Sequence, residues 1–251
     1  MATKNLQLIR AAWGCYQGSG GKMCINKFMS ATKKEGYTGI EIPLSVALNY
    51  GKQEFIAKLK QYELGVVFQI FTDGPMAPGH PDWNNKFTAT HPEPAYTASQ
   101  CALVLKKQVE DALDFNPIKI NSHSMRDFFS FSEAMQFFNE VIPFQNEITD
   151  IPIMHETHRK RFFHSPWVCR DFVIPNFYDD DGLKMVSDYS HFTTVAECDT
   201  NDEHLNAVIE QLSSKMWHIH GRVGYDHGPQ VADPRAPEWE PYTIGFESWW
   251  D

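Results

Sequence analysis

Four polar residues recur along the second half of the chain at a nearly constant interval. His123, Glu156, Asp188 and His220 are separated by 33, 32 and 32 residues. One strand, helix and pair of loops occupies roughly 30 residues, so the interval is that of a βα unit. Each residue stands at or near the end of a short β-rich run: PIKINS before His123, IPIMHE up to Glu156, LKMVSD up to Asp188, and KMWHIHGR around His220. Equivalent positions in successive parallel units share one rim, so the spacing predicts two imidazoles and two carboxylates around one opening. Mixed imidazole and carboxylate donors suit Mn²⁺, Zn²⁺, Co²⁺ or Fe²⁺ better than an ion that wants oxygen alone. Taken singly, each residue has a plainer role, since a lone histidine is usually a satisfied core residue and a lone glutamate often caps a helix. The matched spacing favours a metal site with Glu156, Asp188 and His220 as ligands. The stretch His155-Glu156-Thr157-His158 is not a zincin motif, which needs HExxH on a helix.

These residues need elements to hold them. Seven β-rich runs are legible, at 8–14, 37–43, 64–71, 117–122, 151–156, 183–188 and 215–222. Between them, apolar residues at helical spacing predict helices over 53–62, 97–113, 130–141 and 202–212, the last capped by Asn201 or Thr200. A further helix is predicted over 241–250, exposing one tryptophan. Alternation of this kind implies parallel strands joined by crossovers. The absence of any GxGxxG or GxxxxGK[ST] loop favours a (β/α) barrel over an open nucleotide-binding sheet. In the seventh run, period-2 alternation puts His218, His220 and Arg222 on one face, with Trp217 and Ile219 on the other. The polar face is expected to look into the mouth, with His218 one layer deeper as a hydrogen-bonded support. Residues 73–94, rich in proline and glycine, read as a long loop after the third strand. No linker divides the chain, so 1–251 reads as one domain.

Composition narrows the function. The net charge is −10, which argues against a phosphate-binding nucleic-acid protein. No apolar run is long enough for a membrane span, and the N-terminus lacks a secretory pattern. Five scattered cysteines without a CxxC pair read as reduced thiols of a cytoplasmic protein.

The chain also resembles the xylose-isomerase-like TIM barrels, in particular the sugar phosphate isomerase/epimerase group. The residues that carry the likeness are GIEIP at 39–43, HETHR at 155–159, SDYSH at 187–191, and HIHGRVG at 218–224 followed by GPQVADPRAPEW at 228–239. The likeness extends over essentially the whole chain. It implies one divalent metal ion (Mn²⁺, Zn²⁺, Co²⁺ or Mg²⁺) on Glu156, Asp188, His220 and a final glutamate. It also implies that Glu156 moves a proton and that His191 and Arg222 bind substrate, and His123 and Arg159 are further candidates for substrate binding. The family's fourth ligand lies on an eighth strand, and no eighth strand is visible here. Glu247 is the one late glutamate near that register, and it sits in a helix-like FESWWD. The expectation is a barrel lacking its eighth unit through C-terminal truncation.

The chemistry implied is isomerisation or epimerisation of a sugar, or sugar phosphate, through an enediol or enediolate. A base takes the proton beside a carbonyl, and the metal steadies the oxyanion. Trp13, Phe71 and Trp83 are candidates for apolar walls. No phosphate-cradling glycine loop stands out, which leans toward an unphosphorylated substrate. Two other readings compete. One is a non-catalytic or incomplete metal- or sugar-binding barrel. The other is a metal-dependent endonuclease of the same superfamily, disfavoured by the acidic charge. No nucleic-acid or membrane partner is expected.

Overall fold

The computed structural model describes residues 6–13, 15, 24–72, 97–177 and 182–251. The strands are β1 (Ile9–Ala11), β2 (Gly39–Pro43), β3 (Gly65–Phe71), β4 (Lys119–His123), β5 (Ile153–Glu156), β6 (Met185–Ser187) and β7 (Met216–Ile219). The helices are α1 (Ile25–Lys34), α2 (Leu44–Tyr50), α3 (Lys52–Tyr62), α4 (Ala98–Leu113), α5 (Phe131–Ile148), α6 (Pro166–Phe177), α7 (Tyr189–Ala196), α8 (Glu203–Leu212) and α9 (Glu240–Trp250). Strand order in the sheet is chain order, β1 to β7, and β1–β2, β2–β3, β5–β6 and β6–β7 all pair in parallel. This is the α/β class of the TIM barrel, with seven strands among the described residues. All seven predicted runs hold a strand, trimmed by one to several residues, except that β4 extends one residue past its run to include His123.

The residues cluster into two compact units: Met1–Asn121 with Asp150–Pro152, and Ser122–Thr149 with Ile153–Asp251. In the first unit, β2 is buried along its whole length, and Phe68 packs on Phe115 at 5.2 Å and on Phe55 at 6.3 Å between ring centroids. Parallel strands covered on both faces read as continuous apolar runs, which is why GVVFQIF shows no alternation. In the second unit, Phe138 of α5 lies 5.5 Å from Phe163 and 5.6 Å from Phe172 of α6, and Phe162 lies 4.8 Å from Phe172. Burying such rings contributes about 1.5–3 kcal/mol each.

Local chemistry sets the helix starts. Thr97 with Gln100, and Ser130 with Glu133, form reciprocal capping boxes at α4 and α5. The cap of α8 is Asp202, whose carboxylate accepts from Leu205 N at 2.7 Å, and not Asn201 or Thr200. The helix predicted to end at 141 runs on to Ile148 through Pro143. Its buried face, including Val141, Ile142 and Gln145, outweighs the one hydrogen bond that proline removes. Helices α1, α2, α6 and α7 were not predicted. A start signal for α6 was present: Pro166 opens the helix and the Ser165 hydroxyl accepts from Val168 N at 3.2 Å. α9 forms over the predicted stretch, but both Trp249 and Trp250 are half-buried, since they pack against Phe246 at 5.1 and 5.9 Å. The predicted loop at 73–94, with Trp83 in it, lies outside the described residues. No helix among the described residues is long and apolar enough to cross a membrane.

Candidate functional site

The second unit brings the strand-end residues together. His123 is the last residue of β4 and Glu156 the last of β5, while Asp188 follows β6 and His220 follows β7 directly. Parallel pairing fixes this rim: His155 and Glu156 register with Met185 and Val186, and Val186 and Ser187 with His218 and Ile219. On β7 the predicted alternation appears, with Trp217 48% and Ile219 41% exposed while His218 and His220 are half-buried.

Glu156 is buried, and its two oxygens face different imidazoles. Oε2 lies 3.0 Å from His123 Nε2, and Oε1 lies 3.6 Å from His220 Nδ1. His220 Nδ1 is also 3.5 Å from Asp188 Oδ2. Separations of 3.5–3.6 Å are long for hydrogen bonds. They are close to the spacing of two ligands on one ion, about 3.0–3.4 Å for ligand bonds of about 2.1 Å at 90–109°. Glu156, Asp188 and His191 form one group whose donor atoms all lie within 4.8 Å of one another, and His123, Glu156 and His158 form another. The donor set thus fits a divalent ion.

Burial alone would raise the Glu156 carboxyl, but the imidazoles of His123 and His220, with His158, outweigh it and hold the group well below the usual range. Burial likewise opposes ionisation of Asp188, and its contacts with His220, His191 and Arg222 bring it down to about 2. Both carboxylates stand ionised at neutral pH, the state that ligation and proton acceptance require. Burial lowers His191 to about 4, so its ring is neutral.

Arg222 sits in the same mouth but is engaged. Its Nη2 donates to Asp188 Oδ2 at 2.6 Å and its Nε to Ser190 Oγ at 3.0 Å, while Ser190 Oγ donates to Asp188 Oδ1 at 2.5 Å. These contacts orient the Asp188 carboxylate. A side chain at Gly224 would collide with Ser190, because its Cβ would stand 2.8 Å from Ser190 Cβ and 3.1 Å from the Gly228 carbonyl. The glycine therefore lets the chain after β7 close over Ser190. His191 is buried at the start of α7, with Arg222 Nη2 2.8 Å from Nε2 and Arg159 Nε 3.1 Å from Nδ1.

Two residues of the mouth carry no assigned role in the sequence reading. His158 enters a donor group, and its own Nδ1 lies 2.5 Å from the Arg159 carbonyl, which assigns the ring proton there and leaves Nε2 as an acceptor. Its signal was the period-2 step from Glu156. Ser190 gave no signal, since it acts through a fold-dependent contact. Behind the rim, His155 is wholly buried and pushed down to about 3 by that burial, with its ring between Ser124 Oγ at 2.6 Å and Gln145 Nε2 at 3.2 Å. Glu247 is exposed on α9. Trp13 is 59% exposed, and Phe71 ends β3 half-buried.

No family model matches the chain, and no curated protein matches it either. Solved structures do. A D-allulose 3-epimerase from Methylomonas sp., in complex with D-allulose, superposes with a TM-score of 0.60 at 10% identity, covering 98% of this chain and 81% of that one. A D-psicose 3-epimerase in the presence of D-fructose gives 0.57 at 11% identity, covering 97% and 81%. A probable 3-DHS dehydratase, AsbF of Bacillus anthracis, gives 0.57 at 14% identity, covering 86% and 72%. The chain therefore has the (β/α) barrel fold of these sugar epimerases and this probable dehydratase.

Proposed function

We propose that the chain is a divalent-metal-dependent isomerase or epimerase of a sugar or sugar phosphate, formed by 1–251 as one barrel domain and acting in the cytoplasm. The observation that carries the reading is the pair of buried, ionised carboxylates, Glu156 and Asp188, each within 3.6 Å of His220 Nδ1. The barrel fold shared with sugar 3-epimerases supports it.

Glu156, Asp188 and His220 would hold the ion, with His191 at its edge. Bound there, a divalent cation supplies Lewis-acid polarisation of a carbonyl oxygen. Glu156 accepts the proton from the carbon next to that carbonyl, giving an enediol(ate). His123, 3.0 Å from Glu156 Oε2, steadies that carboxylate. Arg222 and Ser190 fix Asp188. Arg159, His191 and Arg222 present N–H or ring-nitrogen groups to sugar oxygens. Burial of both carboxylates excludes water from the proton being moved.

The test is solvent exchange. The Mn²⁺-loaded protein is incubated in D₂O with D-fructose, D-allulose or D-tagatose and followed by NMR. Deuterium should enter at the carbon beside the carbonyl, and Glu156→Gln should reduce the rate by at least about 100-fold. No exchange with any ketose tested, phosphorylated or not, would sink the reading.

A further inference from the structure

The loop after β5 carries the sequence His158-Arg159-Lys160-Arg161 in an otherwise acidic chain. It is pinned from several sides. His158 N donates to the Phe163 carbonyl at 3.0 Å, Arg161 N to the His158 carbonyl at 3.0 Å, and Phe162 N to the Ser124 carbonyl at 3.1 Å. Phe162 and Phe163 are buried, and Lys160 adopts a left-handed backbone with φ of 63°. The loop thus presents Arg159 and Lys160 as a fixed pair. Both line a cavity of about 430 Å³ together with His158, His164, Asp127 and Val195. That volume suits a sugar-sized ligand.

Arg159 is short of acceptors. It is half-buried, and the side-chain hydrogen bond it makes among the described residues is to His191 Nδ1. An imidazole accepts on one nitrogen at most, and Arg222 approaches the other at 2.8 Å. One of the two guanidinium groups must therefore face an N–H. Arg222 has Asp188 as a counter-charge at 2.6 Å, and Arg159 has no carboxylate within ion-pairing distance among the described residues. Burial first, and then the charge of Arg222, disfavour its cation, against a smaller favourable influence of Asp188. Two cations line the cavity against one carboxylate, Asp127, which is exposed. A planar guanidinium with unused donors beside a lysine matches the oxygens of a carboxylate or phosphate.

We infer that this cavity takes an anionic group, carboxylate or phosphate ester, at the end of the substrate remote from the reacting carbon, with Arg159 as its fork and Lys160 as its second charge. The inference rests on the sugar reading above and narrows the substrate to acidic or phosphorylated sugars. It needs no glycine-rich phosphate loop, because side-chain cations supply the charge.

The experiment is calorimetric titration of the Mn²⁺-loaded full chain with D-fructose, D-fructose 6-phosphate, D-fructuronate and inorganic phosphate. One or both charged sugars should bind at least about tenfold tighter than D-fructose. Which of the two is preferred identifies the anion. The advantage should shrink between about 50 and about 500 mM salt. It should collapse toward unity in Arg159→Met and fall partway in Lys160→Met, with circular dichroism confirming the fold of each variant. Equal affinities for the three sugars, or an advantage that survives Arg159→Met, overturn the anion pocket and leave the sugar reading standing. Inorganic phosphate bound in an Arg159-dependent way, with none of the sugars bound, keeps the anion pocket and removes the sugar reading.

Discussion

Asp188 shows how much of one residue's role depends on its neighbours. Its carboxylate is aimed by Arg222 and Ser190, and Ser190 is in place because Gly224 leaves room beside it. Gly224→Ala should therefore act at a distance. Its methyl would press on Ser190 and on the Gly228 backbone, and overpacking of that kind costs about 1–3 kcal/mol. Urea unfolding should show a loss in that range, and a neutral result would mean that the chain after β7 shifts freely. At this scale the sequence was informative where spacing carried the information. The 32- and 33-residue intervals placed His123, Glu156, Asp188 and His220 at successive strand ends, where they stand. The Ser190 contact was silent because it depends on how a loop folds back, and no periodicity encodes that. Arg222 reads as a substrate group in the sequence, and in the folded chain its Nε and Nη2 also hold Ser190 and Asp188.

At the scale of elements, two helix starts, those of α4 and α5, are closed by reciprocal caps that the sequence reading does not single out. Ser130 and Glu133 close the α5 start twice over, through Ser130 Oγ with Glu133 N and through Ser130 N with Glu133 Oε2 at 2.9 Å. Ser130→Ala should cost about 1 kcal/mol, visible as a lower urea midpoint with unchanged slope. No change in midpoint would show that α5 is held by its buried face alone. That face is also why the predicted end of α5 fell short. Pro143 reads as a stop in the sequence, but Phe137, Phe138, Val141 and Ile142 are buried on either side of it and carry the helix onward. The short helices α2 and α7 follow their strands with no intervening loop, so their apolar residues merge with those of the strands in a single-sequence reading. β1 and β6 are three residues each, which blurs their ends further.

For the whole molecule, a bound ion should act as part of the folded structure. The proposed ligands Glu156, Asp188 and His220 stand at the ends of three separate strands of the second compact unit, and an ion that binds only their native arrangement stabilises it by mass action, about 2.7 kcal/mol at 100 times its dissociation constant. Thermal unfolding should therefore shift up by several degrees with Mn²⁺ and return on adding EDTA. His220→Ala should lose both the shift and the bound metal, measured by elemental analysis. A melting temperature indifferent to EDTA, in a chain shown to hold metal beforehand, would contradict the site. The fold class was legible because seven strand–helix alternations impose parallel pairing. The division into two compact units was not, because its boundary falls inside β4, between Asn121 and Ser122, where no change of composition marks it.

Thr157 gives the two carboxylates a fixed span. Its hydroxyl accepts from Asp188 N at 2.8 Å and donates to the Val186 carbonyl at 3.3 Å, while its own N donates to that carbonyl at 3.0 Å. The residue after Glu156 is thereby tied to the residue that bears the second carboxylate. A tied pair cannot spread to suit a larger ion. Ca²⁺ takes its oxygens at about 2.3–2.6 Å and prefers more of them, whereas Mg²⁺ needs about 2.0–2.1 Å. The tie thus acts as a size gauge. Ca²⁺ should displace Mn²⁺ poorly from the native protein and more readily from Thr157→Val, where the side-chain links to Asp188 N and the Val186 carbonyl are gone. Equal displacement from both, followed by competition dialysis, would mean that ion choice is set by donor type and not by span.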